Sequence, residues 1–400
     1  MYKLTTPSFT TCIRTWFILG FSIFLAAFYT TSGGKLLSNF YYVCALPPAL
    51  YFLIKTKGNI FKSGLGVAVL LLLLYLVTST SWTENSSGKD IFQSLKHVLY
   101  LICFLSGIAL LYRYPHRFWP VMRIMLLGAC IGLAINAWEW FSLLQGQGRL
   151  SGIVGPRNSV DLGVAYGFAA LLAAASFQAD HRQRWLSALL FFILVGGLLL
   201  TQTRVAMVAF ALALLVLIIF RIRNREGIIL AATAIVIMGA GLALGQFDRF
   251  QVALDEVAGI QARISIWERM FQIVQDKSIL LGMGLRTPLE IEVLQLSERP
   301  FSTAHNLYVG TFFFGGLIAL ALMISMLAIG LIKSCKWAKT AADPVPFSLL
   351  IYAAVASLAH GTELLSRPND VWFFWWISVA LTLSVTAQNK RLPSERATPV

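Results

Sequence analysis

Long apolar runs separated by short polar segments organise this sequence from end to end. Two of them, "GLGVAVLLLLLYLV" and "VAMVAFALALLVLIIF", approach the roughly 20 residues that a helix needs to cross a bilayer. Hydrophobic residues make up 58% of the 400 positions and charged ones 12%, against about 25% charged residues in a soluble domain. A transmembrane barrel would alternate apolar and polar residues at period two, and these runs do not. The pattern predicts an all-α polytopic membrane protein.

About twelve membrane spans follow from the apolar runs, with one large loop between the ninth and the tenth. The predicted domains are 1–246 with the first nine spans, 247–304 as a loop that contains helix, and 305–400 with three more spans and a C-terminal tail. The spans are predicted at 16–32, 36–54, 64–81, 95–112, 119–143, 160–178, 185–201, 204–220, 227–246, 305–332, 347–361 and 371–387.

The positive charges predict the orientation of these spans. Of the 32 Lys and Arg residues, 19 fall on one side of the membrane if the N-terminus lies on that side. Cytoplasmic loops carry such an excess, so both termini and the tail are expected in the cytoplasm and 247–304 outside it. The net charge of +14 is spread over these loops, which indicates membrane lipids and no nucleic acid as partners. The first apolar stretch has no small-residue cleavage site and is interpreted as an anchor.

The outer face collects several arginines, a histidine and several amides. His305 and Asn306 lie in "FSTAHNLYVG" at the start of span ten, and Arg204 lies in the tight turn "TQTRVA". Planar guanidinium groups suit phosphate oxygens, and a neutral imidazole suits proton abstraction from a hydroxyl. The sequence shows no cluster with metal-ligand spacing and no nucleotide-binding glycine loop, so neither a metal nor another cofactor is expected.

The large loop predicts one long helix in "VALDEVAGIQARISIWERMFQIVQDK". Arg263 projects from the edge of its apolar stripe, and this places the guanidinium towards the groove between the helix and the membrane domain. The residues of that predicted stripe are Ile260, Ile264, Trp267, Phe271 and Val274. Arginines beside one histidine at a lipid–water boundary fit a reaction on a polyprenyl-diphosphate sugar, because such a reaction releases a diphosphate.

The motifs "TQTRVA", "ARISIWERM" with "LLGMGL", and "AHNLYVGTFFFGGL" resemble the O-antigen ligase family, whose core is shared with the Wzy polymerases and the bacterial protein O-oligosaccharyltransferases. The resemblance covers most of the chain by hydropathy and is sharpest over 200–320. It implies functional roles for Arg204, Arg263 and His305. Gly316 fits the ligase pattern, whereas Ala319 and Leu320 stand where that pattern has threonines.

The resemblance also implies a reaction and its partners. The donor is an undecaprenyl-diphosphate-linked glycan and the acceptor is a sugar hydroxyl of lipid A–core, joined with inversion at the periplasmic face of the inner membrane. His305 is the expected general base, with Arg204 and Arg263 on the diphosphate and Asn306, beside the histidine, as a further substrate-binding residue. The stretch "RLSGIVGPRNSV" resembles the family's periplasmic turn and adds substrate-binding candidates, which are Arg149, Arg157 and Asn158.

Several alternatives stay open at the level of sequence. A Wzy-type polymerase uses the same donor and is expected to carry a second large outer loop, whereas a protein O-oligosaccharyltransferase usually has a further soluble C-terminal portion. A secondary transporter would place charged residues or broken helices at mid-membrane. The sequence does not assign roles to Glu139, His97, His360 and Glu363.

Overall fold

The structure is a computed structural model that describes residues 9–146, 148–221, 252–292 and 300–388, with the isolated positions 232 and 239. Within these ranges the chain is an all-α polytopic membrane protein. Its helices are α1 (Phe9–Thr30), α2 (Gly34–Phe40), α3 (Leu46–Lys55), α4 (Gly64–Ser79), α5 (Gly88–Tyr112), α6 (Pro115–Leu144), α7 (Ser159–Ala179), α8 (Arg184–Thr201), α9 (Arg204–Arg221), α10 (Val252–Lys277), α11 (Leu307–Ala341), α12 (Val345–Ala356) and α13 (Ile377–Gln388).

The predicted spans agree with these helices wherever the structure describes them. Eight helical segments in the described ranges have the length and apolar composition to cross a bilayer, and one of them runs without interruption from α2 into α3. Three shorter apolar helices, Arg204–Phe220, Val345–Ala356 and Trp372–Ala387, account for three more predicted spans. The ninth predicted span, 227–246, lies outside the described residues apart from positions 232 and 239, as does the tail from 389 onwards.

Helix α7 forms the centre of the bundle, because 94% of the residues in its most apolar stretch are buried. Its sequence, "GVAYGFAALLAAAS", is rich in glycine and alanine, which let neighbouring helices approach closely. The hydroxyl groups of Tyr29 and Tyr352 donate to its backbone carbonyls at Ala165 (3.0 Å) and Val164 (2.7 Å). These bonds fix the second turn of α7 against its neighbouring helices.

Helix α11 is broken at Gly316, whose φ of 62° and ψ of −162° are not helical. The segment 278–284 closes the break with its backbone. The break leaves the carbonyls of Phe313 and Phe314 without their helical donors, and the amides of Met283 and Gly284 donate to them instead, both at 2.8 Å. A Cβ atom at Gly316 would collide with the carbonyl of Leu280, so the position requires glycine both for its positive φ and for this close approach.

The predicted helix of the large loop is present as α10, but its buried face is rotated from the predicted stripe. Ile266, Met270 and Val274, at steps of four residues, pack against the first half of α11. Ile264 is exposed, and Phe271 is half-exposed where its ring stacks on Phe312 at 5.2 Å. The other members of the predicted stripe are Trp267, which packs at the edge of this cluster, and Ile260, whose side chain lies outside the described residues.

The rotation follows from the break in α11. Its first half presents Phe312, Phe313 and Phe314 as one aromatic surface, and Met270 is fully buried against that cluster. A flexible methionine fits an irregular aromatic surface well. Met270 therefore belongs to the buried face of α10, although the predicted stripe does not include it.

Candidate active site

His305 lies in the turn that leads into α11, with a left-handed φ of 48°. Histidine tolerates this region better than most residues do. The next residue, Asn306, caps the helix: its Oδ1 accepts from the amides of Tyr308 (2.9 Å) and Val309 (3.1 Å). Its Nδ2 donates to the carbonyl of Leu358 at 2.9 Å. The Asn306 amide is thus bonded to backbone at both ends, and these contacts fix the turn that carries His305.

The same turn is held by hydroxyl groups on either side of it. The backbone amide of Ala304 donates to Oγ1 of Thr362 at 3.1 Å. The hydroxyl oxygen of Thr303 lies 2.7 Å from Nε2 of His305 and orients the imidazole ring. The ring therefore has a defined direction, and one of its nitrogens is already within hydrogen-bond distance of an oxygen.

His305 opens onto a polar cavity of about 300 Å³ at the end of the bundle where α7 and α11 begin. This volume is at the lower end of the range of about 300–1,000 Å³ that small-molecule sites occupy. Besides His305, the titratable side chains that line it are Asp161, His360, Glu363 and Asp370.

Arg263 reaches this region from α10. The indole Nε1 of Trp267 donates to the carbonyl of Ala304 at 2.8 Å, which fastens α10 to the residue before His305. Arg263 lies one helical turn earlier on the same helix and is partly buried. Burial, and then the positive charge of Arg263, lower the pKa of His305 below its usual value, whereas Asp161 acts in the opposite direction. Arg263 is therefore near enough to His305 for its charge to act on the imidazole.

His360 is enclosed between two carboxylates. Its Nδ1 lies 2.9 Å from Oδ1 of Asp161 in the first turn of α7, and its Nε2 lies 2.5 Å from Oδ2 of Asp370. Burial disfavours charge on the ring, but the two carboxylates, Asp370 first, raise the pKa of His360 to about 10. His360 therefore stands between two carboxylates that favour its protonated form, and it links the start of α7 to the loop after α12.

Asp161, His360 and Asp370 also form a group that could hold a metal ion, since one ligand atom from each lies within 4.8 Å of the others. A metal requires neutral imidazole and free carboxylate oxygens. Here each ring nitrogen already faces a carboxylate, so a metal would have to displace both the proton and one ion-pair contact. The geometry fits a closed ion triad better than a metal site.

This triad should make stability depend on pH in a particular direction. The pKa of His360 is raised in the folded state above the unfolded value of about 6.5. Its contribution to the free energy of unfolding is therefore complete below pH 6.5 and disappears as the pH rises towards 10. We expect the difference in thermal midpoint between the wild type and His360→Gln to be largest at pH 6 and to shrink steadily by pH 10.

The experiment is a series of thermal-unfolding scans of both proteins in detergent. A difference that stays constant from pH 6 to pH 10 would show that His360 is not a buried cation. A rise of the wild-type midpoint with added Zn²⁺ at pH 7 would instead assign the triad as a metal site.

A second polar group lies next to the cavity and centres on Arg286. Its Nε donates to the hydroxyl of Ser94 at 3.0 Å, and its Nη2 donates to Nδ1 of His97 at 3.3 Å. Burial raises the pKa of the Glu363 carboxyl, and the charge of Arg286 lowers it in part. Arg286 therefore connects the start of α5 to the cavity wall.

Arg204, another of the predicted arginines, is the first residue of α9, directly after the turn that follows α8. It is exposed. The hydroxyl of the preceding residue, Thr203, donates to the carbonyl of Ser159 at 3.0 Å, two residues before Asp161. Arg149 braces the same turn, with its Nε donating to the carbonyl of Thr201 at 3.0 Å. The structure thus brings Arg204 to the side of the bundle on which α7 begins.

The other two candidates from the "RLSGIVGPRNSV" stretch make local contacts. Nη2 of Arg157 donates to the carbonyl of Ser32 at 2.9 Å. Asn158 is the N-cap of α7, and its Oδ1 accepts from the amide of Val160 at 2.8 Å. Both residues shape the approach of α7 to the cavity and do not line it.

Sequence reasoning missed the two aspartates of the triad and Arg286. An acid in the first turn of an otherwise apolar helix is a signal for Asp161, because ionisable groups in membrane segments are usually functional. Of the residues without an assigned role, His360 and Glu363 line the cavity and His97 binds Arg286. Glu139 lies on α6 and is not among the residues that line the cavity.

Two comparisons with known proteins concern this region. Residues 189–324 match the sequence model of the O-antigen ligase family. That range contains four of the predicted site residues, which are Arg204, Arg263, His305 and Asn306. The chain is also similar to the O-antigen ligase of Pseudomonas aeruginosa, with 28% identity over 363 residues, or 89% of this chain and 87% of that protein.

Proposed function

We propose that this chain, which belongs to the O-antigen ligase family, transfers O-antigen polysaccharide from undecaprenyl diphosphate to a sugar hydroxyl of lipid A–core oligosaccharide. The reaction takes place at the periplasmic face of the inner membrane. It forms a bond between the acceptor oxygen and the anomeric carbon of the donor. It breaks the bond from that carbon to the diphosphate, inverts the carbon, and releases undecaprenyl diphosphate.

The observation that carries this proposal is the position of His305 at a polar cavity, with the charge of Arg263 near enough to act on its imidazole. A general base must be neutral before it acts. Burial and the charge of Arg263 lower the pKa of His305, which keeps the imidazole unprotonated at neutral pH. In the proposed reaction His305 takes the proton of the acceptor hydroxyl as that oxygen attacks the anomeric carbon. Asp161 raises the pKa of His305, so its carboxylate stabilises the imidazolium that forms.

The arginines act on the leaving group. A diphosphate gains negative charge as the anomeric bond breaks, and a guanidinium fork binds phosphate oxygens with two parallel hydrogen bonds. Arg263 is close enough to His305 for its charge to affect the imidazole, so a donor held by Arg263 places its anomeric carbon near the base. Arg204, exposed on the side where α7 begins, binds the diphosphate from the membrane side. The proposed reaction requires neither a nucleotide nor a metal ion.

The decisive experiment is deletion of the gene, followed by separate analysis of lipopolysaccharide and of lipid-linked glycan. Loss of a ligase leaves long O-antigen polymer on undecaprenyl diphosphate and lipid A–core without polymer. Loss of a polymerase leaves single repeats attached to the core, loss of a protein glycosyltransferase leaves unmodified glycoproteins, and loss of a transporter gives none of these patterns. Any of the last three results contradicts the proposal.

A further inference from the structure

A second cavity, of about 350 Å³, lies at the opposite end of the bundle from His305. Helix α5 relates the two sites. Near its start, Ser94 and His97 bind Arg286 beside the first cavity. Its last turn, at Leu110 and Leu111, lines the second cavity. From His97 to Leu110, 13 residues of α5 rise about 20 Å at 1.5 Å per residue, so the second cavity is separate from the proposed active site.

The second cavity is strongly basic. Five cationic side chains converge on it from four segments of the chain, and the residues that line it include no carboxylate. The five are Arg14, Lys55, Lys57, Arg113 and Arg117. Two of them rest against aromatic rings: Lys55 lies 5.8 Å from the ring centre of Tyr51, and Arg117 lies 5.0 Å from that of Tyr114. An anion in this cavity would be attracted by the positive charges that line it.

The other wall of this cavity is apolar. Phe17 and Phe52 meet edge to face, with their ring centres 4.9 Å apart, and both line the cavity together with Ile18. The rule that cytoplasmic loops are basic explains why lysines and arginines occur at this end. It does not explain why they gather around a cavity with an aromatic wall. A free phosphate ion would contact the cations alone, whereas a phospholipid would use both walls.

We propose that this cavity binds an anionic phospholipid of the cytoplasmic leaflet, with its phosphate among the five cations and an acyl chain along the Phe17–Phe52 wall. Basic cavities between membrane helices on the cytoplasmic side are suited to such headgroups. The site belongs to the end of the bundle that the charge pattern predicts to be cytoplasmic. It does not depend on the reaction proposed at His305.

The test compares two triple variants that remove the same charge from the same end of the bundle. The site variant carries Arg14→Gln, Lys55→Gln and Arg117→Gln. The control carries Lys333→Gln, Lys336→Gln and Lys339→Gln, which are exposed on α11 outside the cavity. That part of α11 lies near the end of α5, because the Tyr112 hydroxyl donates to Asp343 just beyond it. Each purified protein is titrated in detergent with dioleoyl phosphatidylglycerol, and bound lipid is counted by native mass spectrometry.

Each basic residue near an anionic lipid contributes about a fivefold factor in affinity. We therefore expect the site variant to bind phosphatidylglycerol about a hundredfold more weakly than the wild type, and the control to stay within about threefold. If the site variant does not fold, Arg14→Gln alone should weaken binding about fivefold. The proposal is wrong if the site and control variants bind equally or if phosphatidylethanolamine binds as well as phosphatidylglycerol. It is also wrong if inorganic phosphate protects the protein from heat as effectively as the lipid does.

Discussion

Replacement of His305 by alanine is expected to lower the rate of glycan transfer by about 10²–10⁴, the usual contribution of a general base. The imidazole points into the polar cavity, and the Thr303 hydroxyl near its Nε2 fixes the direction of the ring. Without the imidazole, the acceptor hydroxyl must lose its proton to water. The measurement is the initial rate of transfer in purified membranes that contain donor and acceptor, with expression and membrane insertion checked for each variant.

The backbone at this position requires a second variant. His305 has a left-handed φ of 48°, where alanine is disfavoured by about 1–2 kcal/mol and asparagine is tolerated. His305→Asn therefore keeps the turn but removes the base, and we expect the same loss of rate. His116→Ala, at the exposed start of α6, serves as the control and should transfer at the wild-type rate. Near-normal transfer by His305→Asn would exclude the imidazole as the base.

The pH dependence of the wild type provides an independent measure of the same base. Because burial and Arg263 lower the pKa of His305, the imidazole stays neutral at pH values where an ordinary histidine, with a pKa of about 6.5, is half protonated. We expect the fall of kcat/KM with decreasing pH to be half complete below pH 6.5. A fall that is half complete at or above pH 6.5 would contradict the environment described for His305.

Much of this fold was predictable, because the bilayer imposes a length and a composition on every span. The break in α11 was harder to predict. "GTFFFGGL" contains a glycine pair, but only the structure shows Gly316 at positive φ with residues 278–284 bonded into the gap. That break directs Phe312–Phe314 towards α10 and rotates the buried face of α10 away from the predicted stripe.

The candidate site was predictable where single residues carried the signal. His305 and Arg263 stand in short motifs; His305 lines the cavity, and the charge of Arg263 acts on its imidazole. The sequence predicts Asn306 as a substrate-binding residue. An asparagine directly before an apolar helix is also a common N-cap, and the structure shows those capping bonds. The triad escaped prediction because Asp161 lies about 200 residues from His360 and Asp370 in sequence. Only the packing of α7 against the loop after α12 brings the three together.

Arg263→Lys should lower kcat by about 10²-fold or more, comparable to the loss of one preorganised donor at a developing negative charge. Lysine keeps the positive charge but loses the planar fork that binds two phosphate oxygens. Helix α10 is fixed at Trp267, one turn beyond Arg263, so the shorter reach of a single ammonium group cannot be corrected by a shift of the helix. The measurement is kcat for transfer from undecaprenyl-diphosphate-linked glycan at saturating acceptor.

Two further variants separate the effect of the planar guanidinium group of Arg263 from the effect of its positive charge. Arg269→Lys changes an exposed arginine on the same helix, hydrogen-bonded to Gln272 at 3.3 Å, and should stay within about twofold of the wild-type rate. Arg263→Gln removes the charge that lowers the pKa of His305, so its residual activity should fall at a higher pH than in the wild type. Arg263→Lys should lose rate without that shift. Full activity in Arg263→Lys, or the same pH profile in Arg263→Gln and the wild type, would remove Arg263 from the proposed diphosphate site.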